Sequence, residues 1–255
     1  MRFTRTKQGG VLETSLLRRK KQVNNDVPIV GLRKLSTVDY PGKLSIDLTI
    51  AGCNYRCPFC PNKELIYDYI PMEKTSQEEL VKILRPRLGF LDGVSLSGGE
   101  PTLHRNIVDL LKELRFQGSE IKIKTNASRP KLIRILLDKY LVDYFSVFIP
   151  APLSKYKETA NYNIDIEDVE EAIQMIRKSG LDHEFRVKPV PGLIELSEVM
   201  EIANYLTGAP RFVLERFEPV KSMDMEYRDL EPFSYSELEE MRLKVAPYFN
   251  ETSIQ

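Results

Sequence analysis

All three cysteines of the 255-residue chain fall within eight residues, Cys53-Asn-Tyr-Arg-Cys57-Pro-Phe-Cys60. Three thiolates on one short loop can hold three corners of an iron–sulfur cube and leave the fourth iron without a protein ligand. A structural zinc site wants four ligands, and the only two histidines, His104 and His183, lie far downstream with no finger-like spacing. A disulfide would strand one thiol. Against zinc, a disulfide and inert core cysteines, the three-of-four ligand count favours a cluster with one open iron.

A second stretch able to do chemistry is Ser97-Gly98-Gly99-Glu100-Pro101-Thr102, just past a short predicted strand. Glycines there let backbone N–H and C=O groups approach a ligand that a Cβ would keep away. Alone, Gly-Gly-Glu-Pro is a weak signal; about forty residues after the cysteine loop, in a strand-then-turn context, it gains weight. A third feature is charge on alternating strand positions: Asp47, then Lys122, Lys124 and Asn126, then Glu184, Arg186 and Lys188. Buried parallel strands ordinarily read as near-continuous apolar runs. These faces therefore either line a polar lumen or lie on a solvated side of the sheet, and the lumen is the favoured reading.

The elements that must position these residues alternate along the chain. Strands are predicted at Leu44–Ala51, Gly93–Ser97, Glu120–Asn126, Tyr144–Ile149, Glu184–Val190 and Arg211–Phe217. Helices are predicted from Ser76 toward Arg85, opened by a Ser76/Glu79 capping box, and at Asn106–Phe116, Pro130–Lys139 with Ser128 as cap, Ile166–Ser179, Leu196–Leu206 and Ser234–Val245. Six βα units imply an α/β fold with a parallel sheet curved into an incomplete (β/α)6 barrel over residues 27–225, followed by a C-terminal helix in 226–255 packed on or beside it. The first 26 residues carry seven basic side chains against Glu13 and Asp26 and have no apolar core of a signal peptide, so a mobile basic extension is expected.

Zero formal net charge gives no global pull toward nucleic acid or anionic membrane, so binding must come from a site. The apolar run near Tyr144 to Leu153 is interrupted by prolines and falls short of the roughly 18 residues a span needs. Cysteines that occur only as a ligand set imply a reduced, cytoplasmic setting.

The spacing C-x3-C-x2-C with Phe59 before the last cysteine resembles the signature of radical S-adenosylmethionine (SAM) enzymes, and the Gly-Gly-Glu-Pro turn resembles that family's site for the SAM amino group. Ser36-Thr-Val-Asp-Tyr-Pro-Gly42, Cys57-Pro-Phe-Cys-Pro-Asn62, Lys124-Thr-Asn126, Arg186 with Val190-Pro-Gly192, and Phe217-Glu-Pro219 resemble sequences of glycyl-radical-enzyme activating enzymes, in particular those that activate anaerobic ribonucleoside-triphosphate reductase. The resemblance covers about Leu32 to Met225.

It implies a 4Fe–4S cluster on Cys53, Cys57 and Cys60, with SAM chelated to the free iron and cleaved to methionine and a 5′-deoxyadenosyl radical. It further implies that Phe59 lies near the adenine, that Gly98, Gly99 and Glu100 serve the methionyl amino group, and that Thr125, Asn126, Arg186 and Val190 line the rest of the SAM site. The implied substrate is a backbone glycine of a glycyl-radical protein, with an electron donor such as flavodoxin or ferredoxin. No side chain is assigned a catalytic role of its own, because the radical derives from the cofactor.

The sequence departs from that branch after the fourth predicted strand, where an Asp-x-Lys pair is usual and Phe148-Ile149-Pro150 stands instead. An acid expected before Thr125 is Lys124, which is therefore a candidate for the SAM carboxylate, the alternative being a surface or ion-paired lysine. Two other functions stay open: a radical SAM enzyme acting on a different peptide, nucleoside or small molecule, and a non-catalytic iron–sulfur sensor or scaffold. With no further cysteine, forms of the family that need auxiliary clusters are excluded.

Overall fold

The computed structural model describes residues 27–87 and 89–255, so the expected basic extension lies outside the described residues. Eight strands form one sheet in sequential order: β1 (Ile29–Ser36), β2 (Ser45–Ile50), β3 (Gly93–Gly98), β4 (Glu120–Thr125), β5 (Tyr144–Ile149), β6 (Asp182–Val187), β7 (Arg211–Leu214) and β8 (Glu251–Ile254). Strands β2 to β8 are parallel, whereas β1 runs antiparallel beside β2. The two edge strands do not pair with each other, so the sheet is an incomplete barrel. The helices are α1 (Glu64–Tyr67), α2 (Gln77–Leu84), α3 (Ile107–Phe116), α4 (Pro130–Asp138), α5 (Tyr156–Ala160), α6 (Ile166–Lys178), α7 (Leu196–Tyr205) and α8 (Tyr235–Val245).

The six predicted parallel strands are all present, and the two edge strands are additions. Strand β1 hides from a period-two reading because its register slips twice against β2, between Ile29 and Gly31 and between Arg33 and Ser36. Strand β8 is only four residues long and largely polar, so the chain does not close on the helix α8 as expected.

Alternation along each strand separates two environments. One face packs under the helices: Ile46, Leu48, Ile50, Val94, Leu96, Ile121, Ile123, Phe145, Val147, Phe185, Val187, Phe212 and Leu214 are all buried. Amphipathic helices close over it, α3 through Ile107, Leu110, Leu111 and Leu114, and α6 through Val169, Ala172, Ile173 and Ile176. The other face carries Asp47, Ser95, Lys122, Ser146, Glu184 and Arg186, also buried. These polar residues point into the barrel, as the lumen reading expects.

Local chemistry fixes the helix starts. The Ser76/Glu79 capping box of α2 is formed, and Ser234 with Glu237 builds another at α8. Ser128 does not cap α4; its hydroxyl accepts from Asn54 Nδ2 at 2.9 Å, and the cap position is Arg129 with Pro130 in the first turn.

Candidate functional site

The cysteine loop leaves the C-terminal end of β2 and is pinned at several points. Gly52 N–H donates to Leu65 O at 2.7 Å and Arg56 N–H to Ala160 O at 2.8 Å, while the Arg56 guanidinium donates to the carbonyls of Cys53 and Tyr55. Asn54 ties the loop to the segment after β4: its Oδ1 accepts from Asn126 Nδ2 at 3.0 Å and its Nδ2 donates to Ser128 Oγ. Ala127 between them holds a positive φ of 57°, a conformation costly for a non-glycine residue and held here by the Asn54, Asn126 and Ser128 bonds.

Cys53, Cys57 and Cys60 are free thiols lining one wall of a cavity of about 370 Å³, within the range of small-molecule sites. Burial pushes the Cys53 thiol up to about 12 and raises Cys57 and Cys60 as well, with nearby sulfurs adding to the rise at Cys53 and Cys57. Only a strong local positive charge would hold all three as thiolates. Among the described residues no three His, Cys, Asp or Glu side chains converge to hold a single metal ion. Three thiols of one loop facing the same cavity suit a cluster whose corners are separate irons, so the donor set fits the 4Fe–4S group.

Beside the sulfurs, the β3 turn comes so close to the cysteine loop that no side chain could fit. A Cβ on Gly98 would lie 2.4 Å from Ile50 O and one on Gly99 2.1 Å from Gly52 O. The approach is closed by Gly99 N–H donating to Ile50 O and Glu100 N–H to Gly52 O, at 2.8 and 2.7 Å. Glu100 stands behind this wall, fully buried. Its Oε1 accepts from Thr102 N, Thr102 Oγ1 and Thr125 Oγ1, and its Oε2 from Asn126 N. Burial raises its pKa and these donors oppose the rise. The carboxylate thus fastens the glycine turn to the end of β4.

Gly98, Gly99, Thr125, Asn126, Phe59, Lys124 and Arg186 all reach the cavity, and Phe59 meets Phe148 edge-on with ring centroids 6.3 Å apart. Glu100 and Val190 do not line it; Val190 is fully buried and bridged to Ile194. The sequence reading missed Asn54, Tyr55, Arg33, Asp39, Ser97 and Glu215 as wall or positioning residues. The charge alternation was the signal for the inward faces, and nothing local marked Asn54 or Glu215.

Ser146 and Arg186, which line the cavity, belong to a charged network. Glu184 accepts from Lys122 Nζ at 3.0 Å, Arg186 at 2.9 Å, Ser146 Oγ at 2.7 Å and Tyr144 OH at 3.0 Å. Burial pushes the Glu184 carboxyl up, but Lys122 and Arg186 outweigh it and hold it at about 2. Burial drives Lys122 down to about 8; its pairing with Glu184 opposes the fall, and the charges of Lys124 and Arg186 add to it. Arg186 also donates to Glu215 and Gln255, and Lys188 pairs with Glu215.

Residues 48–206 match the Radical SAM superfamily. A Methanocaldococcus jannaschii protein named as a glycyl-radical enzyme activating enzyme is 27% identical over 232 residues, covering 89% of this chain and 95% of that one. The 7-carboxy-7-deazaguanine synthase of Thermococcus kodakarensis is 25% identical over 71% of this chain and 77% of its own length. Among solved structures, Streptococcus suis SuiB bound to S-adenosylmethionine superposes with a TM-score of 0.61 at 16% identity, over 80% of this chain and 48% of SuiB, which bears on the fold. No helix among the described residues is long and apolar enough to cross a membrane.

Proposed function

We propose that this chain, which belongs to the radical SAM superfamily and thus to enzymes that bind a 4Fe–4S cluster and SAM, uses the cofactor to take a hydrogen atom from a backbone glycine of a partner protein. The observation that carries the reading is the likeness to a named activating enzyme along nearly the whole of that relative. When bound, the cluster supplies the electron that cleaves the SAM sulfonium to methionine and a 5′-deoxyadenosyl radical.

The protein's share is to bind, orient and exclude water. Cys53, Cys57 and Cys60 hold the cluster, and the Gly98-Gly99 backbone receives the methionyl amino group, with Glu100 bracing it from behind. Thr125, Asn126 and Arg186 complete the wall, and Phe59 with Phe148 makes the apolar side for the adenine. Excluding water strengthens each of these polar contacts and protects a reactive intermediate.

The test is anaerobic reconstitution, then incubation with SAM, a flavodoxin or ferredoxin donor, and a candidate glycyl-radical protein of the same organism. A glycyl radical seen by electron paramagnetic resonance supports the reading, and 5′-deoxyadenosine release without it rejects the activase while keeping the enzyme. Absence of 5′-deoxyadenosine under well-reduced conditions points instead to a sensor or scaffold.

A second reading, a radical SAM enzyme acting on a small molecule, is favoured by Phe148 and Pro150 in place of the Asp-x-Lys pair and by the likeness to 7-carboxy-7-deazaguanine synthase.

A further inference from the structure

Two opposite charges share the chamber wall without meeting. Asp47 on β2 and Lys124 on β4 both line the cavity, and Lys124 acts on Asp47 through its charge, yet no ion pair joins them. Ser97 on the intervening β3 holds Asp47 by one oxygen, donating to Oδ2 at 2.8 Å. The other oxygen, Oδ1, and the hydroxyl of Ser95, its register neighbour, are buried and meet no further partner; burial raises the Asp47 pKa, and Ser97 and Ser95 oppose the rise. The Lys124 ammonium makes no hydrogen bond or ion pair among the described residues, although its charge also acts on Glu215, whereas Arg33, Lys122, Arg186 and Lys188 are each engaged by a carboxylate.

A buried acceptor without a partner is costly when empty and specific when filled, and the half-buried Lys124 ammonium on the same cavity is free to meet a ligand acceptor. A carboxyl group and an ammonium facing one cavity suit a neutral guest that offers a donor to the first and an acceptor to the second.

We propose that Asp47 and Lys124 form a substrate subsite that grips one neutral amide or lactam unit, its N–H on Asp47 and its C=O on Lys124. The proposal rests on the cavity being the reaction chamber of a radical SAM enzyme. The same chemistry is offered by the peptide bond of a glycine and by the ring edge of a guanine-like heterocycle, which correspond to the two readings above.

The experiment titrates anaerobically reconstituted, SAM-loaded protein with two probes, a capped glycine peptide and guanosine, followed by saturation-transfer NMR. Wild type, Asp47→Asn and Lys124→Met are compared, and SAM affinity is measured separately in each. Wild type is expected to bind one probe, and each substitution to weaken that probe about tenfold or more, beyond any change in SAM affinity. The probe that binds names the substrate class.

Wild-type probe affinity in both variants overturns the subsite. So does a fall in SAM affinity in Lys124→Met that accounts for the whole loss, since the lysine then serves the cofactor carboxylate. If wild type binds SAM but neither probe, the amide assignment is wrong while the chamber stands. If it does not bind SAM, the chamber reading itself fails and the subsite goes with it.

Discussion

Replacing Glu184 by Gln separates the roles of the buried charges, because the four donors on Glu184 depend on its negative charge to different degrees. Its carboxyl sits at about 2 against an ordinary 4.5, and at roughly 1.4 kcal/mol per unit this is about 3 kcal/mol of stabilisation at neutral pH. Once the charge is gone, Lys122, already at about 8, can release its proton, a relaxation that limits the loss and does not add to it. A loss of about 3 kcal/mol lies in the range for breaking a buried pair from one side.

Lys122→Met should behave differently. It removes a poorly satisfied ammonium and leaves Glu184 with Arg186, Ser146 and Tyr144, so the change should stay within about 1 kcal/mol. At about 2–4 °C per kcal/mol for a chain of this size, thermal unfolding at pH 7 should fall by roughly 6–12 °C in Glu184→Gln and by no more than about 4 °C in Lys122→Met. The pH dependence has a definite sign. A depressed carboxyl contributes fully above its ordinary value and loses that contribution as pH falls from about 4.5 toward about 2, so this part of acid destabilisation should vanish in Glu184→Gln. Equal losses in the two variants, or a larger one in Lys122→Met, would refute the reasoning.

Cys57→Ser should abolish the iron–sulfur absorbance after reconstitution and lower 5′-deoxyadenosine release by more than about 100-fold while far-ultraviolet circular dichroism stays native, since thiolate ligation and not packing is removed. Gly99→Ala places a methyl 2.1 Å from the Gly52 carbonyl oxygen, so SAM affinity by equilibrium dialysis should drop at least about tenfold and stability by more than about 2 kcal/mol. Gly118→Ala is the control: its φ is positive, unlike that of Gly99, but nothing lies within 4 Å, so about 1 kcal/mol should be lost and SAM binding kept. Glu100→Gln leaves the buried Asn126 N–H facing an amide donor, which should cost about 1–3 kcal/mol in urea unfolding and weaken SAM binding in step; unchanged values for both would show that Glu100 does not brace the wall.

What could be read from the chain were features set by local periodicity. The six inner strands, their helices and the three-cysteine loop all follow from alternation, caps and spacing within a dozen residues, and the structure places their ends close to those expected. Features set by contacts across the barrel could not be read. Strand β8 takes its identity from pairing with β7, since Glu251-Thr-Ser-Ile254 has no strong strand signal of its own. Asn54 looks like any loop asparagine until the fold brings Asn126 and Ser128 to it, more than 70 residues away in sequence. Glu100 gave a motif but not its direction: the same residue type can face a ligand or brace the backbone behind it, and only the four donors around it decide.

The inner face also accounts for how the chamber could lose a charged pair on β5 without losing its polarity. Phe148 on that strand packs against Phe59 and brings no charge, yet its register partner on β6 is Arg186, and Ser146, two residues earlier, is partnered by Lys124 on β4. The cations therefore flank β5 instead of standing on it. One of them, Arg186, is held on three sides by Glu184, Glu215 and Gln255, so its position is fixed before any ligand arrives. The other, Lys124, is not fastened, and a side chain with four rotatable bonds can follow whichever acceptor enters the chamber. A fixed cation beside a mobile one divides the wall into a part set for a constant guest and a part that can adjust to a second, which is the division an enzyme with one cofactor and one separate substrate requires.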